Sequence, residues 1–374
     1  MTKPAARTIG VEEEYLLVDD DGVPAAVAQD ALALADQHEP ELHPETGEPV
    51  PGGALEAELK QQQLETSTPP CTDLEALGKE LRVGRANAGR AAGRAGAHAV
   101  AVATSPLAAA STVTADRRYR EISTLLGLTA REQLTCGCHV HVSVESDEEG
   151  VAVLDRISPW LPVLLALSSN SPFWNGQDSH YASYRSQVWS RWPTAGPTTP
   201  FGSVAGYRAA VDALIATGTA LDEGMVYFDA RLSARYPTVE IRVADVCLDV
   251  DDAVLVAALA RALVETAARE AAQGVPPSFQ RADLLRAATW RASRSGVRDD
   301  LLSPRTYRPV PAFEAVAELV AHVRDALTDT GDLEGVTARI ERIAERGTGA
   351  DQQRRWRAEG LETLVERASL RTLA

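Results

Sequence analysis

Alternation of apolar and polar positions marks the first two thirds of the chain, and a helical period takes over afterwards. Thr8–Val18, His98–Ala103, Thr135–Glu145, Met225–Ala230 and Val239–Val246 follow the period of two expected of half-buried strands. Asp19-Asp20-Asp21-Gly22 closes the first of these as a turn, and Ala54–Thr68 carries further extended segments. Thr72-Asp73-Leu74-Glu75 has the form of a capping box ahead of a helix reaching Gly96. Ser158–Ser168 reads as an apolar helix interrupted near its start by Pro159 and Pro162, and Val204–Ala216 and Asp251–Ala272 read as helices. The polar stretch Gln37–Gly53, rich in Pro, Glu and Gly, reads as loop. Asn170–Gly202 is long, irregular and punctuated by proline, and an ordered loop of that length is usually functional. After Pro276 the pattern predicts helices only: Arg281–Arg294, Ala312–Thr328, Leu333–Arg346 and Gln352–Ser369. Strands followed by a helical tail give an α+β class with a largely antiparallel sheet.

The length of 374 residues leaves room for roughly two or three domains. Yet the polar-faced strands run from Glu12 to Glu240 with no low-complexity linker between them. The expectation is one catalytic domain over residues 1–374, with 276–374 a helical C-terminal extension packed on it. A net charge of −16 without a basic cluster predicts no nucleic acid and no anionic membrane as partner. The apolar runs near Leu161–Leu167 and Ala253–Ala260 are too short to span a bilayer, and Met1–Arg7 lacks the apolar core of a signal peptide. Four cysteines in so large a chain predict a reduced, cytoplasmic protein. The pair Cys136-x-Cys138 is spaced too tightly for the usual zinc clip, and alternation sets both thiols in the core with Val140 and Val142.

Chemistry is concentrated on short alternating segments far apart in sequence. Glu12 and Glu14 share one face of the first strand, with Glu13 opposite; His139, His141 and Ser143 share a face of another; Glu240 and Arg242 share a face of a third. Each segment alone fits a solvated outer face. Together, in a chain with seven histidines, they point to one site. Negative charge gathered on one sheet is unfavourable unless cations sit there. Carboxylates with an imidazole suit Mg²⁺ or Mn²⁺ holding a nucleotide triphosphate, whereas zinc would want more His or Cys. No phosphate-binding loop and no Gly-x-Gly-x-x-Gly after a strand is present, so metals, arginines and backbone must hold any nucleotide. Arg185 lies in Tyr181-Ala182-Ser183-Tyr184-Arg185-Ser186, and Arg231 and Arg235 just precede the Glu240 strand. Such guanidinium groups stabilise phosphoryl charge or clamp a carboxylate.

Gly10-Val-Glu-Glu-Glu-Tyr15, Leu64-Glu-Thr66, Cys136-Gly-Cys-His-Val-His-Val142, Asn170-Ser-Pro-Phe-Trp174, Tyr181-Ala-Ser-Tyr-Arg185 and Pro237-Thr-Val-Glu-Ile-Arg-Val-Ala-Asp245 occur in order. Trp290-Arg291-Ala292, Arg294-Ser-Gly296 and Gly349-Ala-Asp-Gln352 extend the series into the tail. With these motifs the chain resembles the type 2 glutamate–cysteine ligases, in particular the YbdK-like carboxylate–amine ligases. The resemblance implies a glutamine-synthetase-like fold, in which a curved antiparallel sheet cups ATP and divalent metals with helices on its convex side. It implies amide formation from a carboxylate and an amine through an acyl phosphate, with γ-glutamylcysteine as the archetypal product, and a homodimer. Carried over by position, Glu12, Glu14, Glu65, His139 and Glu240 fall on the metal-binding strands. Glu58 is a further acidic position, and its odd separation from Glu65 demands a bulge or a separate element. Arg185 and Arg242 fall near the reacting phosphate, with Arg231 and Arg235 as further nucleotide contacts. Trp290, Arg291 and Gln352 are structural or substrate-proximal. Asp178-Ser179-His180 stands where relatives often show a Thr-Gly pair, a departure that bears on specificity rather than chemistry. Alternatives are a guanidino-kinase-like phosphotransferase, an amide ligase of specialised metabolism with another substrate pair, a non-catalytic nucleotide binder, and a zinc hydrolase using His139 and His141. No residue stands out as the base that deprotonates the amine.

Overall fold

In the computed structural model, residues 6–35, 54–278 and 281–374 are described; the Gln37–Gly53 stretch lies outside them. Seven strands form one sheet: β1 (Ile9–Val18), β2 (Leu55–Ala57), β3 (Gln63–Ser67), β4 (His98–Val100), β5 (Gly137–Ser143), β6 (Ala230–Leu232) and β7 (Thr238–Asp245). Their order is β2-β3-β1-β5-β7-β6, with β4 paired to the end of β1, and every pairing is antiparallel. The architecture is therefore α+β with an antiparallel sheet at its centre.

Alternation decides which face is covered. Val11, Cys138, Val140, Val142, Val239, Ile241 and Val243 point to one side and are buried. Four helices lie against them: α1 (Leu74–Arg94), α2 (Asp147–Ile157), α3 (Leu161–Ser168) and α4 (Val250–Ala272). α4 is apolar nearly all round, which is the signature of a helix enclosed by protein. Glu13 also points to this side, where the Arg85 guanidinium meets both its oxygens at 2.6 and 2.9 Å. Arg85 further donates to the carbonyls of Cys247 and Leu248, so all three nitrogens of a fully buried cation find acceptors.

Several boundaries differ from those the sequence predicts. The N-cap of α1 is Asp73, not Thr72, because the Asp73 carboxylate accepts from the Ala76 N–H. Residues 223–225 form a 3₁₀ turn and the strand starts only at Ala230, where the Met225–Ala230 expectation ends. Cys136 precedes β5 and packs in a second core cluster, apart from Cys138. The continuous helical stretch Asp147–Ser168 is 22 residues long and apolar enough to cross a membrane by length and composition alone, longer than the apolar run expected there. Most of it is buried, and a 3₁₀ turn at Ser158–Trp160 joins its two helices.

The region after Pro276 is not all helix: Asp300–Leu302 and Pro309–Pro311 form a small antiparallel pair. Its helices include α5 (Ala282–Ser295), α6 (Gly349–Trp356) and α7 (Leu361–Thr372). α5 packs on α3 and α7 on β4, and the core cluster runs from Ile9 to Ile343. The Asn170–Gly202 segment is ordered around a short hairpin at Phe173–Asp178 and the six-residue helix Tyr184–Trp189.

Candidate active site

The face of the sheet opposite the helices carries the charge. Its register places Glu14 opposite Glu65, Glu12 opposite His139, His141 opposite Glu240, and Glu240 opposite Arg231. Four strands from distant parts of the chain thus bring acids and imidazoles into one row.

Two clusters result. Ligand atoms of Glu12, His141 and Glu240 lie within 4.8 Å of one another, as do those of Glu14, Glu58 and Glu65. Glu58 joins the second because β2 ends at Ala57; the residue is off the strand, and the parity with Glu65 does not apply. In the first cluster the structure favours His141 where the sequence reading favours His139. His141 Nε2 is 3.2 Å from Glu12 Oε1, whereas His139 lies between the clusters, 3.3 Å from Glu12 and 3.9 Å from Glu14. A β-bulge between Cys138 and Val140 shifts the register with β7 and brings His141 opposite Glu240.

Electrostatics here is extreme. Burial, together with the Glu58 charge, pushes the Glu14 carboxyl up to about 7, and burial and Glu58 push Glu65 well above the carboxylate range. Burial opposes the Glu12 and Glu240 anions as well, but His139 and His141 outweigh it for Glu12, and Arg242 and Arg231 for Glu240. Both are held far below the usual range. Burial and the Arg242 cation bring His139 down to about 4, so its imidazole is neutral.

Arginines rim the clusters. Arg242 donates to Glu240, and Arg231 holds the same carboxylate at 2.7 Å while also reaching the Val226 carbonyl at 3.0 Å. Arg185 lies over the Trp189 ring, with its Nη atoms 3.4 Å from the carbonyls of Arg242 and Val243. It packs so closely on Gly137 that a Cβ there would overlap its Nη2 atom, which explains a glycine in the middle of the Cys136–Val142 motif. The Gly137 N–H donates to Glu14 at 2.6 Å. Arg235 is exposed in the turn between β6 and β7, away from this packing, and its backbone N–H bonds to Ser233.

Two acids that sequence reasoning gave no role support the site. Asp245, at the end of β7, accepts from the Asn170 N–H at 2.9 Å and from the hydroxyls of Ser171 at 2.7 Å and Ser183 at 2.8 Å. This knot seats the start of the long loop and, through Ser171 Oγ, the Arg185 backbone N–H. The apolar flanks of Asp245 were the available signal, since an acid there has to be hydrogen-bonded. Asp229 directly precedes β6, two residues from Arg231, and faces the rim. Of the tail residues, Trp290 meets the Tyr181 hydroxyl, Arg291 holds the Asp300 carbonyl and Gln352 holds Asp249.

The donor set is what hard divalent cations take. Three carboxylates within 4.8 Å of one another repel strongly in surroundings of low dielectric, which a cation relieves. The Nε2 atom of His139 is buried without a hydrogen-bond partner among the described residues, and that of His141 faces only the Glu12 carboxylate at 3.2 Å, so the imidazoles have capacity left for an incoming group.

Comparison with known proteins places the chain in a family and a fold. The profile of glutamate–cysteine ligase family 2 matches residues 8–368. A Streptomyces avermitilis relative with the provisional name glutamate–cysteine ligase 2-1 is 53% identical over 349 residues, covering 93% of this chain and 94% of its own. A Streptomyces coelicolor relative, provisionally glutamate–cysteine ligase 2, is 51% identical over 98% of this chain and 96% of its own. Among solved structures, a glutamate–cysteine ligase from Francisella tularensis in complex with AMP superposes with a TM-score of 0.68 at 14% identity, over all of this chain and 90% of that one. A bifunctional glutathione synthetase from Pasteurella multocida gives the same score and identity over 98% of this chain and 53% of that one.

Proposed function

Since the chain belongs to glutamate–cysteine ligase family 2, we propose that it is an ATP-dependent ligase joining the carboxylate of an amino acid to an amine, with glutamate and cysteine as the first pair to test. The observation that carries this is the pair of acidic clusters side by side on one sheet face, rimmed by Arg185, Arg231 and Arg242. Glu12, His141 and Glu240 would hold one Mg²⁺ or Mn²⁺, with His139 beside it, and Glu14, Glu58 and Glu65 a second. Bound there, such ions neutralise phosphate charge and orient the triphosphate.

The carboxylate of the first substrate attacks the γ-phosphorus of ATP. A C–O–P bond forms and ADP leaves. The amine then attacks the acyl carbon, the C–O bond breaks and phosphate departs. Arg185 and Arg242 stabilise charge on the transferring group, because the Arg185 guanidinium is held by Trp189 and the Arg242 and Val243 carbonyls, and the Arg242 guanidinium by Glu240, before substrate arrives. Arg231 orients Glu240, and Arg235 is placed to meet nucleotide only at its outer end. The same reading puts the protein in the cytoplasm with its four buried thiols reduced, as a homodimer.

The test is ADP release with Mg²⁺, screened over amino-acid and amine pairs, with mass spectrometry of the product. An amide formed in step with ADP supports the reading. A phosphorylated guanidino compound in place of an amide would instead make the chain a phosphotransferase, and tight stoichiometric zinc without ATP turnover would make it a hydrolase.

A further inference from the structure

The carboxylate of Asp229 is the acid on this face that neither cluster uses. Its backbone is clamped from two sides: the Asp229 N–H donates to Gly196 at 3.0 Å, and its carbonyl accepts from Arg242 at 2.9 Å. Asp229 therefore extends the edge strand by one residue. The β6–β7 register continues from Arg231 opposite Glu240 and Ala230 opposite Ile241 to Asp229 opposite Arg242. Asp229 and Arg231 share a parity, so the Asp229 side chain stands on the charged face, next to the Arg242 position. Around it are the Phe228 and Ala230 side chains on the apolar side and the Tyr227 ring, which packs edge-on to Trp189, the ring beneath Arg185.

Among the described residues the Asp229 carboxylate accepts no side-chain or backbone hydrogen bond. The charge acting on it is the Arg185 guanidinium, and that attraction does not offset its desolvation, which pushes the carboxyl up to about 7. Glu12, Glu14, Glu58, Glu65 and Glu240 are each engaged with one another, with histidines or with arginines. A carboxyl left without a partner, opposite Arg242 in the register and within reach of the Arg185 charge, is positioned to meet a cationic group and to take a proton from it.

We propose that Asp229 binds the ammonium form of the amine substrate and takes its proton, which frees the nitrogen lone pair to attack the acyl phosphate. One proton moves from the ammonium nitrogen to the Asp229 carboxylate; the N–C bond forms, the C–O bond to phosphate breaks, and the second nitrogen proton departs with the leaving phosphate as hydrogen phosphate. This assignment rests on the ligase reading above and supplies the base for its second half.

The experiment separates the halves. Full-length native chain and Asp229→Asn are given ATP, Mg²⁺ and glutamate, with either cysteine or hydroxylamine as acceptor. Hydroxylamine is uncharged near neutral pH and needs no base. The expected result for the variant is a fall of roughly 10²–10⁴-fold in amide formation with cysteine, with hydroxamate formation within about threefold of native and an unchanged melting temperature. Asp229→Glu should recover part of the cysteine reaction. Amide formation by Asp229→Asn within threefold of native overturns the assignment, as does an equal loss of hydroxamate and amide. A native chain that forms neither amide nor hydroxamate with either acceptor overturns the ligase reading itself, and the assignment with it.

Discussion

Glu240 sits between two guanidinium groups, and that single carboxylate links both halves of the site. Arg231 and Arg242 neutralise it on one side, while His141 and Glu12 approach on the other. Glu240→Gln keeps the shape but removes the charge. ADP release should fall about a hundredfold or more, a loss of several kcal/mol of transition-state stabilisation; a variant that keeps near-native ATP turnover takes Glu240 out of the metal site. Gly137→Ala tests a different point. The added methyl would strike the far end of the Arg185 side chain, which can swing aside. The fold should tolerate it within about 1 kcal/mol by denaturant titration, while kcat drops because Arg185 has left its place. Loss of stability in step with loss of activity would show that the glycine serves the strand instead.

Elements explain why some of this was legible and some was not. β5 and the first part of β7 announce themselves because they alternate, with one apolar face that must be buried and one polar face that then has to line something, and β1 does so with the single exception of Glu13 around its acids. Glu12, Glu14 and Glu240 follow directly. The choice between His139 and His141 does not, because a bulge in β5 decides it and no pattern in Cys138-His139-Val140 betrays the extra residue. Glu58 was legible only by resemblance, since it lies past the end of a three-residue strand. Asp229 was obscured because the edge strand was placed too early, which separated the acid from its neighbour Arg231. The helix-side contact was half read: Glu13 was expected to turn away from the site, but its partner Arg85 lies 72 residues on, in an Ala/Arg/Gly helix with no distinguishing spacing. Removing one member of that pair strands the other in the core. Arg85→Met should destabilise by about 3–5 kcal/mol in urea unfolding, with kinetic constants of the folded fraction little changed.

At the scale of the molecule, pH and cations act through different regions. His322 lies far along the chain from the sheet, stacked on Trp160 at 4.2 Å between ring centres. Burial and the Arg305 cation lower its pKa from 6.5 to about 4, so the folded state keeps it neutral. The unfolded chain takes up that proton first as pH falls. Stability attributable to His322 is therefore complete above pH 6.5 and lost between there and pH 4, by at most about 3 kcal/mol. His322→Gln should flatten that part of the stability profile, and an unchanged slope would show that other groups set it. On the charged face the lever is the divalent ion. Millimolar Mg²⁺ should raise the melting temperature by about 1–3 °C by binding the folded state alone, and Glu65→Gln should lose most of that gain.

The brace on the long loop comes from the far end of the chain. Gln353 Nε2 holds Asn170 at 2.6 Å, the Ala350 N–H reaches the Ser169 carbonyl, and Thr372 accepts from the Ala101 N–H beside it. A polypeptide still emerging from the ribosome can assemble all six acids and histidines of the two clusters, and the Asp245 knot on Asn170, once β7 is out, but the outer brace from Gln353 to Asn170 follows only with α6. An unfinished copy can therefore capture metal while its long loop still lacks the Gln353 and Ala350 contacts that finish its seat.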